Sequence, residues 1–431
     1  MIQMFFEDNF HFVGIGGIGM SGLARLLRDS GKNVSGSDAE ASPIVTKLRS
    51  EGFAISTPQA AENIPADCEV VVHTLAANLS NPEIVEATKR GLKILSYPQA
   101  LGQFLAGKKV IAVAGTHGKT TTTSLIIAGC LAAGEDISCL VGTNLKLLDH
   151  QNARLGNSDW FVIEACEYRR AFLNFNPQIL VVTNAEPDHL DYYKNWADYE
   201  SAFVEFVGKL PSDGVLVANS HEQNLEKIIA AASHFFDAGD VLEHFALKIP
   251  GEMNRRNAKL AFVVGELLAI DSAKFQTGLE NFEGGERRFE LRGEFRGAQI
   301  FDDYAHHPTE IIATLEAARE RFPTQKIIVV YQQHQLDRAQ KMLVEIGLSF
   351  LDADLVVIPN IYAVRDEANS ANKISGQDLV DEITKSGVKA IFTEDFAKTV
   401  DWLKANLQKD DVVIVMGAGD VFKISRELLG N

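Results

Sequence analysis

The chain has 431 residues, and at about 150 residues per domain its length and its 46% hydrophobic content predict two to four packed α/β domains. Its formal charge of −17 argues against nucleic acid or an anionic membrane as the main partner, because both are negatively charged. The N-terminal stretch lacks a basic start, and no apolar run approaches the ~20 residues of a membrane helix. We therefore expect a cytoplasmic protein without a signal peptide, membrane insertion or an obligate protein partner.

The four cysteines form no C-x-x-C pair: they are Cys68, Cys130, Cys139 and Cys166. All four lie in apolar runs, so we expect buried thiols in a reducing compartment rather than disulfides or metal ligands. For Cys166 and its neighbour Glu167, we expect one buried side chain and one charge at the rim of a site.

Short apolar runs alternate with helical stretches in the first part of the chain. "HFVGIG", "CEVVVHT" and "LKILSY" are predicted strands, and "GMSGLARLLRDSG" and "NPEIVEATKRG" are predicted helices that close at glycine. This alternation predicts a parallel sheet with crossover helices. A Gly-Lys-Lys turn in "LGQFLAGKKV" places a boundary near residue 107, which gives a first domain of residues 1–106.

A glycine loop follows the first predicted strand. Gly14, Gly16 and Gly19 satisfy the pattern G-x-G-x-x-G and open a predicted helix. Glycines there let the main chain approach a diphosphate, and the helix N-terminus supplies N–H donors. Asp38 ends the next strand, where it can accept a hydrogen bond from a ribose or base. The residues alone predict a ligand with a diphosphate and a sugar, usually NAD. The alternative is a tight turn without a ligand.

The rest of the chain again alternates between strands and helices. "KKVIAVAG", "ISCLVGT", "DWFVIEACEY", "PQILVVTN" and "GVLVAN" precede the helix "NRRNAKLAFVVGELLAI". The Gly-rich, charged stretch "FEGGERRFELRGEFRGAQIFDDYAHHPTE", with its two short strands, suggests a linker. "KIIVVYQ", "ADLVVIP", "VKAIFTE" and "DVVIVMGAGD" then predict a further sheet. These patterns predict a central domain of residues 107–291 and a C-terminal domain of residues 292–431.

A second glycine loop, "GTHGKT", follows the strand "KVIAVA" and opens a helix. It is shorter than the Walker pattern, because Val113 stands where the first glycine of that pattern belongs. Its N–H groups can still bind phosphates, Lys119 can neutralise β/γ oxygens, and the Thr120 hydroxyl can ligate Mg²⁺. A lysine at a helix N-terminus is disfavoured without an anion, so we predict ATP binding.

Two further strand ends offer oxygen and nitrogen ligands. Glu164 follows one apolar run, and Asn184, Asp188 and His189 follow another. Ligands of open α/β sheets bind at the carboxyl ends of strands, so Lys119, Glu164 and His189 are expected to converge. A carboxylate suits Mg²⁺, whereas an imidazole is an unusual ligand for it. His189 taken alone is therefore more typical of a hydrogen-bonded strand-end histidine.

Paired aspartates and paired histidines follow in "FDDYAHHPTEI", where Pro308 fits the first turn of a helix. In "YQQHQLDRAQ", His334 and Arg338 are spaced to share one helical face if a helix begins there. Structural histidines and an aspartate helix cap are the alternatives to a site.

In this order, "GTHGKTTTT", "EACEYRRAFL", "TNAEPDHLDYY", "GEMNRRNA", "RRFE", "DDYAHHPTEI" and "MGAGDVFK" resemble the Mur ligase family. The resemblance runs essentially end to end. It implies an α/β protein of three domains: a Rossmann-like N-terminal domain, a central P-loop ATPase domain and a Rossmann-like C-terminal domain that closes over the site. By this resemblance, the first loop receives the diphosphate of a UDP-sugar rather than NAD.

Within the family, "HFVGIGGIGMSGLA", "VSGSD", "EACEYRRAFL" and "DDYAHHPTE" are most similar to the branch that joins L-alanine to the lactyl carboxylate of UDP-N-acetylmuramate in peptidoglycan precursor synthesis. The implied reaction consumes ATP with Mg²⁺ and passes through an acyl phosphate. A recycling ligase that attaches a tripeptide to the same UDP-sugar is the closest alternative. A nicotinamide dehydrogenase and a non-catalytic nucleotide switch are alternatives of other classes.

The resemblance also implies roles for individual residues, grouped here by ligand. The implied ATP-binding residues are Gly115, Thr116, His117, Gly118, Lys119, Thr120, Thr121, Asn254, Arg288 and Asp303. The implied metal ligands are the Thr120 hydroxyl for one Mg²⁺, and Glu164 with His189 for a second Mg²⁺. The implied UDP-sugar residues are Gly14, Gly16, Gly17, Gly19, Met20, Ser21, Asp38, His73 and Thr74. The implied amino-acid residues are Tyr304, His306, His334 and Arg338. The implied catalytic set is Lys119, Glu164, His189, His334 and Arg338.

Two positions depart from the family pattern. Met253 stands where relatives carry a histidine before the adenine-side Asn254. Gln335 stands where many relatives carry an arginine, so the alanine carboxylate is expected to rest mainly on Arg338. Either His306 or His334 is expected to act as the general base for the amine.

Overall fold

The computed structural model describes residues 5–189, 191–334, 336–362 and 374–430. The chain forms two compact units. Leu247–Arg255 and the residues from Glu283 onward belong to the second unit, and the remainder belongs to the first. Within these residues, the first unit contains two sheets and the second contains one.

The first sheet is built from the apolar runs at the start of the chain. Its elements are β1 (Asn9–Val13), α1 (Ile18–Asp29), β2 (Asn33–Ser37), α2 (Pro43–Ser50), β3 (Ala54–Ser56), β4 (Val70–His73), α3 (Pro82–Lys89), β5 (Lys93–Ser96) and α4 (Tyr97–Phe104). The strands are parallel, as predicted, and their order is β3-β2-β1-β4-β5. Strand order reverses between β1 and β4, which opens a crevice at their carboxyl ends where ligands of such sheets bind.

The second sheet begins directly after a short connection. Its elements are β6 (Lys109–Ala114), α5 (Lys119–Ala133), β7 (Ser138–Leu145), β8 (Gln151–Arg154), β9 (Trp160–Glu164), β10 (Ile179–Val182), α6 (Trp196–Val207), β11 (Val215–Ala218), α7 (Glu226–Ala230), β12 (Phe235–Asp237), α8 (Glu252–Leu267) and α9 (Ser272–Asn281). The strand order is β12-β11-β10-β6-β9-β7-β8, and all pairs are parallel except β7 with β8. The polar run of β8 gave no strand signal in the sequence.

The third sheet forms the second unit. Its elements are β13 (Glu290–Phe295), β14 (Ala298–Asp303), α10 (Pro308–Arg321), β15 (Ile327–Tyr331), α11 (Leu336–Lys341), α12 (Leu343–Leu348), β16 (Leu355–Ile358), α13 (Gly376–Lys385), β17 (Ala390–Phe392), α14 (Phe396–Asn406), β18 (Val412–Met416) and α15 (Phe422–Leu429). The order is β13-β14-β18-β15-β16-β17.

Short 3-10 helices of the first unit occupy Ala61–Asn63, Lys146–Leu148, Tyr168–Asn174 and Ala238–Asp240.

The two short strands predicted before the third sheet are present, but they belong to that sheet rather than to a linker. β13 and β14 pair as an antiparallel hairpin, and β14 continues into the sheet beside β18. The turn between the two strands consists of Arg296 and Gly297, both with positive φ, as two-residue hairpin turns require. The glycines and charges from residue 290 onward are therefore those of an edge strand and a tight turn, whereas Gly284 and Gly285 lie in the irregular segment before β13.

The α/β fold class is confirmed, and the domain boundaries near residues 107 and 292 stay predictions. Cys68, Cys130 and Cys139 are buried as expected, but the expectation is wrong for Cys166, which is exposed. Pro308 is in the first turn of α10, as predicted. None of the described helices is both long enough and apolar enough to cross a lipid bilayer.

Helix α5, which begins at the second glycine loop, is fixed by an aromatic side chain from α9. Phe275 is fully buried against α5 and α8. A Cβ atom added at Gly129 of α5 would lie 2.6 Å from the Phe275 ring, and one at Gly265 of α8 would lie 2.9 Å from it. The absence of side chains at both glycines therefore makes room for the ring.

Replacing Phe275 with alanine should leave a cavity beside α5. The loss of a buried aromatic side chain typically destabilises a protein by about 3–5 kcal/mol. We expect a lower thermal unfolding midpoint for Phe275→Ala, measured by calorimetry or circular dichroism. The matched control is Phe236→Ala on β12, where the ring is 48% exposed and the midpoint should barely change. Equal shifts for the two variants would contradict this account of the packing.

Candidate functional site

The first glycine loop is fixed between the ends of β2 and β4. Gly14 has a φ of +82°, and a Cβ atom there would lie 2.6 Å from the Thr74 methyl group. The N–H of Gly14 and the N–H of Ile15 both donate to the carbonyl oxygen of Ser37, at 2.9 and 3.0 Å. The loop therefore needs a glycine at position 14, and its first turn is held by main-chain bonds.

Asp38 fixes the same loop with its side chain. Its Oδ2 atom accepts a hydrogen bond from the Gly16 N–H at 2.7 Å. Gly17 forms the N-cap of α1, and no side chain caps this helix. The first N–H groups of a helix lack partners inside it, so those of α1 are available to an anion. Asp38 therefore shapes the anion site itself, beyond its predicted contact with a ribose or base.

The remaining predicted UDP-sugar residues lie at the same edge of the first sheet. A Cβ at Gly19 would lie 2.7 Å from the Tyr97 ring and hydroxyl. His73 ends β4, and its Nδ1–H donates to the carbonyl oxygen of Thr74 at 3.0 Å. The side chains of Met20 and Ser21 are buried, so these two residues can offer only main-chain groups to a ligand.

The second glycine loop depends on two glycines in the left-handed region. Gly115 has a φ of +136° and Gly118 a φ of +79°. A Cβ at Gly115 would lie 2.0 Å from the Thr183 hydroxyl oxygen, and one at Gly118 would lie 2.6 Å from Asn257 Oδ1. Gly118 is the N-cap of α5, which Lys119 begins, and Thr120 and Thr121 follow in its first turn. This is the strand, loop and helix arrangement of a phosphate-binding loop.

Asn184 holds the second loop, whereas the sequence indicated it only as a possible ligand at a strand end. Its Oδ1 accepts from the His117 N–H at 2.9 Å, and its Nδ2 donates to the His117 carbonyl at 3.1 Å. The Thr116 N–H donates to the main-chain carbonyl of Asn184 at 3.2 Å. The only sequence signal for this role is the position of Asn184 directly after the β10 run.

Lys119 is buried in an ion pair with Glu167. Its Nζ lies 3.0 Å from Glu167 Oε2 and donates to the carbonyl oxygens of Gly115 and Thr116 at 2.5 and 3.0 Å. Burial disfavours both charges, but the carboxylate raises the pKa of Lys119, and the ammonium lowers the pKa of Glu167. Both groups therefore stay ionised at neutral pH.

Glu167 also binds His189. The His189 Nε2 atom lies 3.3 Å from Glu167 Oε1, and its ring centre lies 4.8 Å from that of Tyr168. Tyr193 donates its hydroxyl proton to the Glu167 carbonyl oxygen at 2.5 Å. Of the neighbours Cys166 and Glu167, Glu167 is therefore the buried one, so the expected charge at the rim of a site is wrong. The predicted convergence of Lys119 and His189 occurs through Glu167, which the sequence did not single out as a site residue.

Glu164 and Thr120 form the second part of this site. The Thr120 hydroxyl donates to Glu164 Oε1 at 3.1 Å, and the Gly142 N–H donates to Glu164 Oε2 at 2.8 Å. A carboxylate and a hydroxyl at the start of α5 are oxygen donors that suit Mg²⁺. His189 is instead bonded to Glu167, so the fit to Mg²⁺ rests on Thr120 and Glu164.

In the second unit, the two aspartates of "FDDY" have different environments. Asp303 accepts from the N–H of Phe289 at 2.7 Å and from the N–H of Ala305 at 2.8 Å. Asp302 is buried, and burial raises the pKa of its carboxyl to about 6. Within the described part of the chain, its Oδ1 atom has no hydrogen-bond partner. Burial raises the pKa of Asp303 as well, but its two main-chain donors and Arg288 oppose this shift.

Aromatic and basic side chains lie together beyond β14 and β15. The Arg288 guanidinium lies 5.1 Å from the centre of the Tyr304 ring. His306 donates its Nδ1 proton to the Tyr304 carbonyl oxygen at 3.0 Å, and its ring lies 6.2 Å from that of His334. His334 in turn stacks on Tyr362 at 5.6 Å. The structure thus brings together four of the residues predicted in this part of the chain.

The predicted helical pairing of His334 with Arg338 is wrong. Helix α11 begins at Leu336, so His334 precedes it and instead forms a parallel bridge with Tyr362. Gln335 lies outside the described residues. Asn254 lies in the second unit, where its Nδ2 donates to the Pro250 carbonyl at 2.6 Å.

Three family models match the chain in sequence: "Mur ligase family, catalytic domain" over residues 9–109, "Mur ligase middle domain" over residues 113–238, and "Mur ligase, glutamate ligase domain" over residues 287–419. A UDP-N-acetylmuramate–L-alanine ligase of Caldanaerobacter subterraneus is 38% identical over 97% of this chain and 96% of its own. The enzyme of that name from Clostridium acetobutylicum is 38% identical over 98% of both chains.

A solved structure shows the same fold. The UDP-N-acetylmuramate-alanine ligase of Thermotoga maritima matches with a TM-score of 0.84 and 29% identity, over 98% of this chain and 99% of that one. The match therefore includes both glycine loops and the third sheet.

The buried Asp302 should make stability depend on pH. Because its pKa rises from 3.8 in the unfolded chain to about 6, the folded state binds more protons in this range. The stability that protonated Asp302 contributes is fully present below pH ~4 and is lost as the pH rises through ~6. Asp302→Asn cannot ionise, so it should be more stable than wild type at pH 8, by on the order of 2–3 kcal/mol, and show no such gain at pH 4.5.

Thermal midpoints of wild type and variant at both pH values check this expectation. The control is Asp401→Asn, which removes an exposed carboxylate on α14. A difference between Asp302→Asn and wild type that does not change with pH would show that Asp302 does not titrate in this range.

Proposed function

Because the chain belongs to the Mur ligase family, we propose that it is an ATP-dependent ligase that joins L-alanine to the lactyl carboxylate of UDP-N-acetylmuramate in peptidoglycan precursor synthesis. The observation that supports this most is the end-to-end similarity to enzymes of that name. The tripeptide-adding alternative is not favoured, since these relatives are named for the addition of L-alanine. ATP and nucleotide sugars are cytoplasmic metabolites, so we propose that the protein acts in the cytoplasm.

The two alternatives of other classes explain less of the structure. A dehydrogenase would use the first glycine loop but has no role for the second loop with its buried Lys119. A nucleotide switch would need no carboxylate beside the loop hydroxyl, whereas Glu164 accepts from Thr120 at 3.1 Å. A ligase that binds both a nucleotide sugar and ATP uses all of these groups.

In the proposed reaction, the first loop binds the UDP-sugar. The N–H groups at the start of α1 receive the diphosphate, since no side chain caps this helix. Asp38 keeps the loop in place through Gly16. His73 and Thr74 lie at the adjoining strand end and are proposed to contact the sugar. The lactyl carboxylate is thereby presented to the second loop.

In the first chemical step, the lactyl carboxylate attacks the γ-phosphorus of ATP, and ADP leaves with the electrons of the broken P–O bond. Lys119 is proposed to neutralise the charge on the phosphate oxygens, and Glu167 keeps this lysine protonated. The product is an acyl phosphate. Asn254, Arg288 and Asp303 are proposed to contact the nucleoside of ATP.

Thr120 is the proposed hydroxyl ligand of one Mg²⁺, and Glu164, with His189 as its predicted partner, is the proposed ligand of a second Mg²⁺. When bound, Mg²⁺ neutralises negative charge on the phosphate oxygens. The main-chain N–H of Gly142 orients the Glu164 carboxylate through Oε2 and leaves Oε1 directed to Thr120. His189 would have to leave Glu167 to become a ligand.

In the second step, the neutral amine of L-alanine attacks the acyl carbon, and phosphate leaves the tetrahedral intermediate. His306 is suited to accept the amine proton, because its Nδ1–H is held by the Tyr304 carbonyl and the lone pair of the neutral ring is then on Nε2. Arg338 is proposed to bind the alanine carboxylate, and Tyr304 and His334 are the other residues proposed for the amino acid. Positioning of the reactants supplies much of the acceleration.

A panel of amino-acid acceptors tests this function. Purified protein with UDP-N-acetylmuramate, ATP and MgCl₂ should release phosphate fastest with L-alanine, and more slowly with glycine, L-serine or the tripeptide.

Lys119→Ala should form no ADP above background, because the phosphates lose their cation. The matched control is Lys109→Ala, which removes an exposed lysine at the opposite end of β6. A preference for the tripeptide would establish the recycling activity, and near-normal turnover by Lys119→Ala would refute the site.

Arg338→Ala should weaken the binding of the amino acid. The loss of a charge-assisted bond to a carboxylate costs about 1.5–3 kcal/mol, which corresponds to an increase of about 10- to 100-fold in the KM for L-alanine. Steady-state kinetics should show smaller changes in the KM values for ATP and UDP-N-acetylmuramate. Arg426→Ala on α15 removes an exposed arginine and serves as the control. If KM rises for ATP instead, Arg338 is not the carboxylate ligand.

A further inference from the structure

Asn152 lies at the contact between the first two sheets. It is on the edge strand β8, and its side chain is fully buried. Its Nδ2 donates to the carbonyl oxygen of Ile18 at 2.7 Å and to that of Val141 at 3.3 Å. Ile18 is the first residue of α1, whose N–H groups are the proposed diphosphate donors. The amide therefore joins the helix of the first loop to strand β7.

The second of these carbonyls is adjacent to the ATP and metal region. Val141 precedes Gly142 on β7, and the Gly142 N–H donates to Glu164 Oε2 at 2.8 Å. Glu164 in turn accepts from Thr120. A continuous path of hydrogen bonds and one peptide unit thus connects the start of α1 with the start of α5. Asn152 is the side chain in this path that crosses from one sheet to the other.

An ion pair fixes the orientation of this amide. Arg25 of α1 is buried, and its Nη1 donates to Asn152 Oδ1 at 3.4 Å. Its Nε and Nη2 donate to the two carboxylate oxygens of Glu51 at 2.8 and 3.1 Å. Arg25 can only donate, so it requires the oxygen of the Asn152 amide on its side. The amide nitrogen is then directed to the two carbonyls.

A glycine permits the close approach of α1 to the β7–β8 pair. A Cβ atom at Gly22 would lie 2.3 Å from Leu140 Cδ1 and 2.7 Å from Asn152 Nδ2. Apolar side chains from both sides complete the contact, including Met20 and Leu23 of α1 and Ala153 of β8. The distance between α1 and the second sheet is therefore set tightly at this point.

We infer that Asn152 is a positioning residue that sets the separation between the nucleotide-sugar loop and the ATP loop. This inference rests on the proposed function. In the first chemical step, the lactyl carboxylate must reach the γ-phosphorus, so the rate depends on the distance between two separately bound ligands. Asn152 touches neither ligand in this scheme. Its loss should therefore change turnover and leave each binding site intact.

Two substitutions test this role. Asn152→Leu keeps the approximate size of the side chain and removes all its hydrogen bonds. Asn152→Asp keeps an oxygen for Arg25 but cannot donate to Ile18 or Val141, and its pairing with Arg25 supports folding. For both variants, we expect kcat for ADP formation to fall about 10- to 100-fold, since a misplacement of about 1 Å has effects of this size.

Binding is measured separately for each ligand by calorimetry, with UDP-N-acetylmuramate and with a non-hydrolysable ATP analogue. The two Kd values should change less than about threefold, because each loop keeps its own donors. Gly22→Ala displaces α1 from the opposite side of the same contact and should give the same combination of lower kcat and unchanged Kd. Lys47→Ala is the control, because it removes an exposed bond across the same contact, to the His150 carbonyl at 2.5 Å, away from both loops.

Two results would overturn the inference. One is a kcat within about twofold of wild type in both Asn152 variants, which would make the amide dispensable for positioning. The other is a Kd for UDP-N-acetylmuramate that rises as much as kcat falls, which would make Asn152 part of the binding loop. Absence of alanine-dependent ADP formation by wild type would instead reject the proposed function.

Discussion

The buried ion pair of Lys119 and Glu167 is the interaction on which the second glycine loop depends. A lysine at the start of a helix faces the positive end of the helix dipole, and burial removes the water that would stabilise its charge. Glu167 supplies the compensating charge, and the carbonyl oxygens of Gly115 and Thr116 complete the hydrogen bonds of the ammonium. Burying each ion costs several kcal/mol, so such a pair is stable only when the hydrogen bonds of the buried charges are made. The result is a cation kept beside a row of main-chain N–H groups.

Most of the fold could be predicted from the alternation of apolar runs and helices, because strands of parallel sheets are buried on both faces and read as continuous apolar stretches. The strands that this pattern did not indicate are β3, β8 and β12, and all three lie at sheet edges, where the pattern does not apply. β8 consists of Gln151–Arg154, which is polar, and it becomes a strand through pairing with β7. β13 is half-exposed and was predicted as a short strand within a linker, because its glycine and charges are as typical of a loop as of an edge strand.

The form of the second glycine loop could be predicted because local geometry restricts its glycines. Gly115 and Gly118 adopt conformations that other residues disfavour, and the loop sits between a strand and a helix. Glu167 could not be assigned in this way, since its partner Lys119 is 48 positions away and the pairing depends on how β6 and β9 lie in the sheet. For the same reason, the contact of Asn152 with the carbonyl oxygen of Ile18, 134 positions away, could not be predicted.

The shared hydrophobic core of the first two sheets has a consequence for how such proteins can recombine. Leu23 and Leu27 of α1 belong to the same cluster as Leu140 of β7 and Phe161 of β9. A fragment that ends after the first sheet would leave this apolar surface open to water and prone to aggregation. Exchange of a nucleotide-sugar module between related genes would therefore have to include the strands that cover α1. The two sheets would then be exchanged together, because a gene crossover between them would be selected against.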